Sequence, residues 1–487
     1  MKRIMSICCL ILAGAAVASA QTSIEWDRTF GGTANDGFRS IIATDDGGIL
    51  AVGLTYSFSA NADIYLAKLD AQGDSTWTKT IGGAGRDYGW GICQTNDGGY
   101  VITGYTTLAG SGGMDLYLIK IDTGGNVLWS KTYGGEGDEE GRAVCETGDG
   151  HLIISGWTES FGAGQKDLYF LKADSAGDTL WTKTFGGEGL DWGTAVCETS
   201  DGAYGVGGTI GTTASNNLDL YLLKIHADGT LLWEKNLASS GEIDADFGTG
   251  IWPTENGGIV ITGYGNDHTL NDAEDIWLIH VDGDGNELWS HRYGEPGNYY
   301  DYGCAVSRTS DDGFLICGVT KEPITQKNDL YLVKTDADGN KLWSQVIENS
   351  GSQWGSSIAA LTGDTFAIAG HTEASGAGRF DGWILKLYAP AAGLDEPEND
   401  GHGAFIKMSP NPSRAETNIR FNLLHAARVQ LDVVDAAGRR IKTLLDERKQ
   451  GGEYTVNWNT EMFGSGVYYY VLIVDGETTS RKLVLLN

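Results

Sequence analysis

The chain has 487 residues, with 72 Gly, 15 Trp and 21 Tyr but only 7 Pro. It is too aromatic for a disordered chain and long enough for two or more domains with a large core. Its formal charge of −31 argues against nucleic acid as a partner, since a phosphate backbone needs a basic face.

Residues 1–20 read as a secretory signal: Lys2 and Arg3, then the apolar run Ile4 to Val17, then the small-residue site Ala18-Ser19-Ala20. Cys8 and Cys9 sit inside the apolar run, too early for a lipid-bearing cysteine. No later segment has some twenty apolar residues, so no transmembrane helix is expected. Without the signal, five cysteines remain: Cys93, Cys145, Cys197, Cys304 and Cys317. The first three recur at one repeat phase and are expected as small buried side chains. Cys304 and Cys317 fall on adjacent strands and are the only pair worth testing for a disulfide.

From residue 21 to 388 the chain repeats. Trp26, Trp77, Trp129, Trp181, Trp233, Trp289 and Trp343 recur at spacings of 51, 52, 52, 52, 56 and 54, in step with Asp63, Asp115, Asp167, Asp219, Asp275, Asp329 and Asp381. Within one unit, Leu128–Thr132 is a strand ended by Gly134-Gly135. Gly141–Thr147 and His151–Thr158 follow, separated by Gly148-Asp149-Gly150, and Asp167–Lys172 is the fourth. Four short strands joined by Asp-Gly turns describe a propeller blade. The fold class is therefore all-β: a seven-bladed β-propeller whose N-terminal strand, Ile24–Phe30, completes the last blade. Closure removes the exposed sheet edges. The recurring Trp is expected between blades, where replacement by Ala would cost about 3–5 kcal/mol. The recurring Asp is expected to cap a turn.

Three stretches, Lys131–Gly137, Thr95–Thr106 and Asp115–Leu118, resemble the bacterial SBBP-type β-propeller repeat. That resemblance implies the fold and no particular activity. The Asp-x-x-Gly-x-x-Leu-Trp turn is also similar to quinoprotein propellers, but no quinone-binding set of residues can be matched.

After Tyr388 a small, acidic, Pro-containing linker, 389–403, leads to a different composition. Strands at 417–423, 429–435, 440–445, 454–458, 467–474 and 481–486 suggest a compact sandwich over 404–487. Ser409-Pro410-Asn411-Pro412, Val434–Arg439 around Gly438, Gly464–Tyr469 around Gly466, and Arg481-Lys482-Leu483-Val484 resemble the type A sorting domain of the type IX secretion system. The Ig-like domain of flagellar hook-capping proteins is similar. The sorting resemblance implies export across the outer membrane, and secretion machinery as a partner.

Catalytic motifs are missing. There is no Gly-x-Ser-x-Gly, no His-Glu-x-x-His and no paired-cysteine zinc spacing outside the signal. Asp282–Asn286 is superficially similar to a calcium loop, but Glu287 stands where that loop needs Gly, so it reads as a hairpin turn. No cofactor and no metal site is expected, although calcium is compatible with the acidic loops. The best candidate site is geometric. Where the innermost strand of each blade begins, the chain reads Asp87-Tyr88, Glu139-Glu140, Asp191-Trp192, Asp246-Phe247, Asp301-Tyr302 and Gln353-Trp354. A partial ring of carboxylates beside aromatic faces at a channel mouth would suit sugars or cationic side chains; the alternative is turn-capping Asp and packing aromatics. Additions around 242–246, 266–274 and 298–300 lengthen loops on the later units.

The leading expectation is a secreted or cell-surface binding scaffold for a glycan or protein ligand. An extracellular polysaccharide-acting enzyme with channel-mouth carboxylates, or a purely structural surface protein, are the alternatives.

Overall fold

The computed structural model describes residues 22–212, 217–237, 247–266, 274–294, 300–321, 325–348, 351–373, 376–389, 406–409, 416–423, 425–435, 439–460, 463, 466–474 and 477–485. The signal segment 1–20, nearly all of the linker, most of the loop additions, Asp246, Pro410, Asn411, Pro412 and Gly438 lie outside these. The chain divides into a compact unit Thr22–Ala391 and a second one in the segment Ala392–Asn487. No helix among the described residues is long and apolar enough to cross a membrane.

The first unit is built from seven four-stranded antiparallel sheets. Sheet 1 runs outward through Asp36–Ala43, Ile49–Thr55, Asp63–Leu69 and Ser75–Ile81, and sheets 2 to 6 repeat this order. Sheet 7 takes three strands from Gln353–Tyr388 and its fourth from the other end of the unit: Ser23–Phe30 pairs with Asp381–Tyr388, Phe30 opposite Gly382. The innermost strand of each sheet lies against that of the next, and the strand Gln353–Ala360 lies against Asp36–Ala43. Neighbouring sheets share cores; Leu50, Val52, Ile64 and Leu66 of sheet 1 pack with Ile92, Tyr100, Ile102 and Ile119 of sheet 2. Both faces of the middle strands are thus covered, which is why they read as continuous apolar runs rather than alternating ones.

One charged contact recurs inside this apolar stack. The third strand of each unit carries Lys five residues after the landmark Asp, and the hairpin between the first two strands carries Thr-x-Asp. In five sheets the two meet: Lys68–Asp46 at 2.9 Å, Lys120–Asp97 at 2.7 Å, Lys172–Asp149 at 3.1 Å, Lys224–Asp201 at 2.6 Å and Lys334–Asp311 at 2.8 Å. All five lysines are buried, and a buried ammonium is costly without a counter-charge. The other two units show the same rule by exception. In sheet 5 the turn has Asn256, and His280 replaces the lysine, hydrogen-bonded to Thr254 at 3.1 Å and kept neutral by burial. In sheet 7 the turn has Gly363, and Lys386 instead pairs with Glu25 on the N-terminal strand at 2.8 Å.

The landmark Trp residues sit on the outermost strands, and six of the seven are only half-buried; Trp343 alone is buried. Trp129 lies over Gly177 in the turn before the next Trp strand, and the same contact joins Trp26 to Gly73, Trp77 to Gly125, Trp181 to Gly229, Trp233 to Gly285 and Trp289 to Gly339. Those glycines have φ of 75–86°, a backbone that L-residues avoid, and a Cβ there would strike the indole. The Trp therefore fastens the rim, and its half-burial brings the cost of removal down from the expected value to about 2 kcal/mol.

All five described cysteines carry free thiols. Cys304 and Cys317 do not bridge: Cys317 pairs with Ala305 in the ladder, and a bulge between Gly303 and Ala305 leaves Cys304 out of it.

In the second unit, Ile406–Ser409, Glu416–Leu423 and Gly452–Asn459 form one sheet, and Arg440–Lys449, Ala427–Asp435, Gly466–Val474 and Glu477–Leu485 form another. Ile419, Phe421 and Trp458 from the first share a core with Val429, Leu431, Val433, Tyr470 and Leu472 from the second. Gly466 and Lys482 lie on the paired strands Gly466–Val474 and Glu477–Leu485.

Hydrogen bonds from Lys120 first, and then from Thr95, hold the Asp97 carboxyl at about 2. Its contribution is therefore present above about pH 4, the unfolded value, and is lost as pH falls through about 2. Asp97→Asn should lower stability by about 1 kcal/mol at neutral pH, the exposed side of the carboxylate being screened by solvent. In urea titrations the gap between wild type and variant should close between about pH 4 and pH 2.

Candidate functional site

In sheets 1 to 4 and 6 the loop leading into the innermost strand ends on a described acidic residue, with Gln353 in its place in sheet 7, and the structure turns that acid into the wall. Asp36, Asp87, Glu139, Asp191 and Asp301 are all buried. Glu139 accepts from the Thr158 hydroxyl at 2.7 Å and the Gly135 amide at 2.9 Å. Asp191 accepts from the amides of Gly187 at 2.6 Å and Gly211 at 2.8 Å. Asp36, at the same position, accepts from the Ser57 hydroxyl at 2.6 Å and the Gly32 amide at 2.8 Å. The landmark Asp of the preceding sheet joins the same loop: a Cβ on Gly82 would meet both Asp63 and Asp87, and one on Gly294 both Asp275 and Asp301. Burial, with Asp63 beside it, raises the Asp87 carboxyl, and burial with Asp167 nearby raises that of Asp191. These described side chains hold loops between sheets rather than standing open.

The next residue along is different. Tyr88, Trp192, Phe247, Tyr302 and Trp354 are half-buried and form an interrupted belt of ring contacts. Tyr88 lies on Tyr105 with ring centres 4.8 Å apart, Phe247 on Tyr264 at 4.9 Å, and Tyr264 meets Tyr302 edge-on at 4.8 Å. Trp192 lies 6.4 Å from Phe247, and Trp354 stacks on His371 at 4.5 Å. In sheet 3 the belt position is Glu140, buried, ion-paired with Arg142 and cross-strand from Trp157. Burial raises its carboxyl, against the pull of Arg142 and then Lys166. Tyr105, Trp157, Tyr264 and His371 escaped the sequence reading. Their signal was available: each follows the Gly that ends the apolar run of the second strand, as in Ile-Thr-Gly-Tyr105.

That Gly has a structural duty. A Cβ at Gly104 would collide with the Tyr88 carbonyl oxygen, and Gly53, Gly156, Gly208, Gly263, Gly318 and Gly370 stand in the same contact. The close approach accompanies a register shift in every innermost strand: 38/40, 89/91, 141/143, 193/195, 248/250, 303/305 and 355/357. A bulge leaves one residue out of the ladder and re-aims its side chain. The seven residues so released are Arg39, Trp90, Arg142, Thr194, Thr249, Cys304 and Ser356, of which the sequence reading had singled out only Cys304, as a disulfide candidate. Three of them meet: Arg39 lies 5.1 Å and Arg142 4.3 Å from the Trp90 ring centre.

A cleft of about 490 Å³ along sheet 2, lined by Thr106, Tyr117, Lys131 and Tyr133 and edged by Ile81 and the turn at Asp178, includes only Asp87 of the expected residues. Among the described residues no three His, Cys, Asp or Glu side chains converge on a metal position. Asp282 caps its own hairpin, accepting from the amides of Asp284 at 3.0 Å and Asn286 at 2.8 Å.

Asp191→Ala should cost about 2–3 kcal/mol by orphaning two loop amides, whereas Trp192→Ala on the belt should cost about 1 kcal/mol. Chemical denaturation of the two variants side by side measures the contrast.

A stretch of 152 residues is 26% identical to the regulatory protein FlaEY of Caulobacter vibrioides, over 26% of this chain and 16% of that protein; the match thus spans a small part of that protein's length. Among solved structures, a Dyadobacter fermentans protein of unknown function aligns at 13% identity and a TM-score of 0.45, over 76% of this chain and 99% of its own. The β-propeller domain of the Trilobed protease from Pyrococcus furiosus aligns at 11% and 0.44, over 75% and 98%. The α-L-arabinanase of Penicillium chrysogenum does so at 10% and 0.42, over 76% and 98%. Residues 407–486 match the secretion system C-terminal sorting domain. This domain implies export by the type IX system, to the cell surface or the extracellular space.

Proposed function

We propose that residues 21–388 are a seven-bladed β-propeller acting as a binding scaffold for a glycan or protein ligand, exported by an Ig-like sorting domain at 404–487. The observation that carries the binding reading is the aromatic belt of Tyr88, Trp192, Phe247, Tyr302 and Trp354, repeated at one position of the innermost strands and left half-exposed. Aromatic faces in this setting suit sugar rings or cationic side chains. The propeller reading is supported by the seven sheets and by the N-terminal strand taken into the last of them. The polysaccharide-acting alternative needs two carboxyls facing one substrate. Glu139 and Asp191 are instead committed to hydroxyl and amide donors of their own loops, which favours binding over turnover. The Ig-like reading rests on two sheets sharing one apolar core.

A glycan and protein binding screen with the full secreted chain, with and without calcium, tests the scaffold. Binding should be lost in the double variant Trp192→Ala/Tyr302→Ala while its unfolding transition is retained. Polysaccharide turnover abolished by one carboxylate change would favour the enzyme instead. Deletion of 404–487 should leave the protein inside the outer membrane; unchanged surface display of the truncated chain would remove the sorting role.

A further inference from the structure

The seven bulge residues are the least symmetric set in a symmetric molecule. Sheets 1, 2 and 3 release Arg39, Trp90 and Arg142; sheets 4 to 7 release the small polar residues Thr194, Thr249, Cys304 and Ser356. Thr194 and Thr249 are taken up locally, donating to the carbonyls of Gly248 and Gly303 at 2.7 Å each. The large three are not settled in this way. Arg142 has Glu140 as its counter-charge, but Arg39 forms no ion pair with any described residue. Its Nε is buried with no hydrogen-bond partner among them, and so is Trp90 Nε1. Two guanidiniums against one indole, with one carboxylate between them, make a positive centre inside a chain of net charge −31. Acidic side chains were abundant, yet none meets Arg39. Burial, and then the Arg142 charge, lower the Arg39 pKa. Burial, and then Arg39, hold His371 neutral at about 3, so the histidine does not add to the charge. Unpartnered buried donors beside an uncompensated cation call for an acceptor that carries negative charge.

We propose that Arg39, Trp90 and Arg142 form an oxyanion-binding site where the innermost strands converge, taking a carboxylate or sulfate group through the Arg39 guanidinium and Trp90 Nε1. Arg39 would supply the charge and Trp90 a neutral donor, while Arg142, held by Glu140, would keep the indole in place. The site adjoins the aromatic belt, Trp90 stacking on Tyr88 with ring centres 6.4 Å apart, but it uses neither Trp192 nor Tyr302. The group it takes could be a free ion or the acid of a charged sugar.

The test is a titration of the full secreted chain at constant ionic strength, followed by tryptophan fluorescence and by thermal shift. The probes are sodium sulfate, sodium acetate and an oligogalacturonate, with sodium chloride and a neutral oligosaccharide as controls. Saturable responses to the anionic probes are expected, weakened roughly tenfold or more in Arg39→Gln, as for loss of one charge-assisted hydrogen bond. Trp90→Phe keeps the ring while removing the donor, and should weaken them several-fold; it serves if Arg39→Gln fails to fold. An oligogalacturonate bound more tightly than acetate identifies the ligand as an acidic glycan, and equal binding identifies it as a free ion. Trp192→Ala/Tyr302→Ala should keep the sulfate response, so failure of the belt reading leaves this one intact. No saturable response to any anionic probe, or an unchanged response in both folded variants, overturns the proposal.

Discussion

The Lys–Asp clasp at the inner hairpins is the contact on which the sheet stack depends. It places an ammonium in an otherwise apolar layer at five equivalent points, so each of those hairpins must present an acid, and each acid must be aimed by its Thr. The cost of a stranded charge explains why the two departures are paired changes. Asn256 comes with a neutral His280, and Gly363 comes with a lysine that leaves the layer altogether. That second departure matters for the whole unit, because the released Lys386 reaches Glu25 on the strand contributed by the other end. Of the two sheets lacking the inner clasp, the one in which the two ends meet keeps its lysine, which ties them together.

A second constraint runs from a missing side chain to the centre of the molecule. Glycine at the end of each second strand lets the innermost backbone press in, the ladder slips by one residue, and a single side chain per sheet is freed from pairing. Because the slip occurs at the same place in neighbouring sheets, freed side chains can meet, as Arg39, Trp90 and Arg142 do. The fold thus offers seven variable positions at the price of one fixed glycine each. Their occupants need not obey the packing rules of the sheets, which is why two arginines and a tryptophan can stand there.

Much of the sheet pattern was legible from periodicity. The landmark Trp and Asp, the Asp-Gly turns and the apolar runs mark four strands per unit because each reports a local requirement of turn or ladder. The acidic positions were legible as residues but not as roles: Asp87, Glu139 and Asp191 look the same whether they face solvent or a loop amide, and only the backbone of the preceding loop decides. Lys120 and Asp97 were each visible, but their meeting across a hairpin was not, since 23 residues separate them. The bulges were invisible for a different reason. A register slip leaves strand composition unchanged, so Arg39 and Arg142 read as ordinary polar residues of a half-buried strand. Cys304 misled in the same way: adjacent strands suggested a partner in Cys317, and the slip turned it elsewhere.

Symmetry then sorts structure from function. A requirement of the fold recurs in most units, as the clasp, the Trp–Gly contact and the loop-holding acids do, and such residues say nothing about a ligand. What differs between units, on a face the fold does not need, is where selection for binding can act. By that criterion the belt is intermediate, aromatic in five of seven sheets, with Gly37 and Glu140 in the others. The freed bulge residues are the extreme, with bulk and charge gathered on three neighbouring sheets and small side chains on the remaining four. Among sheets that otherwise repeat so closely, such lopsidedness is not a requirement of the shared packing. It gives the centre one cationic, aromatic side and one side of small residues, which is the asymmetry a single bound group would require.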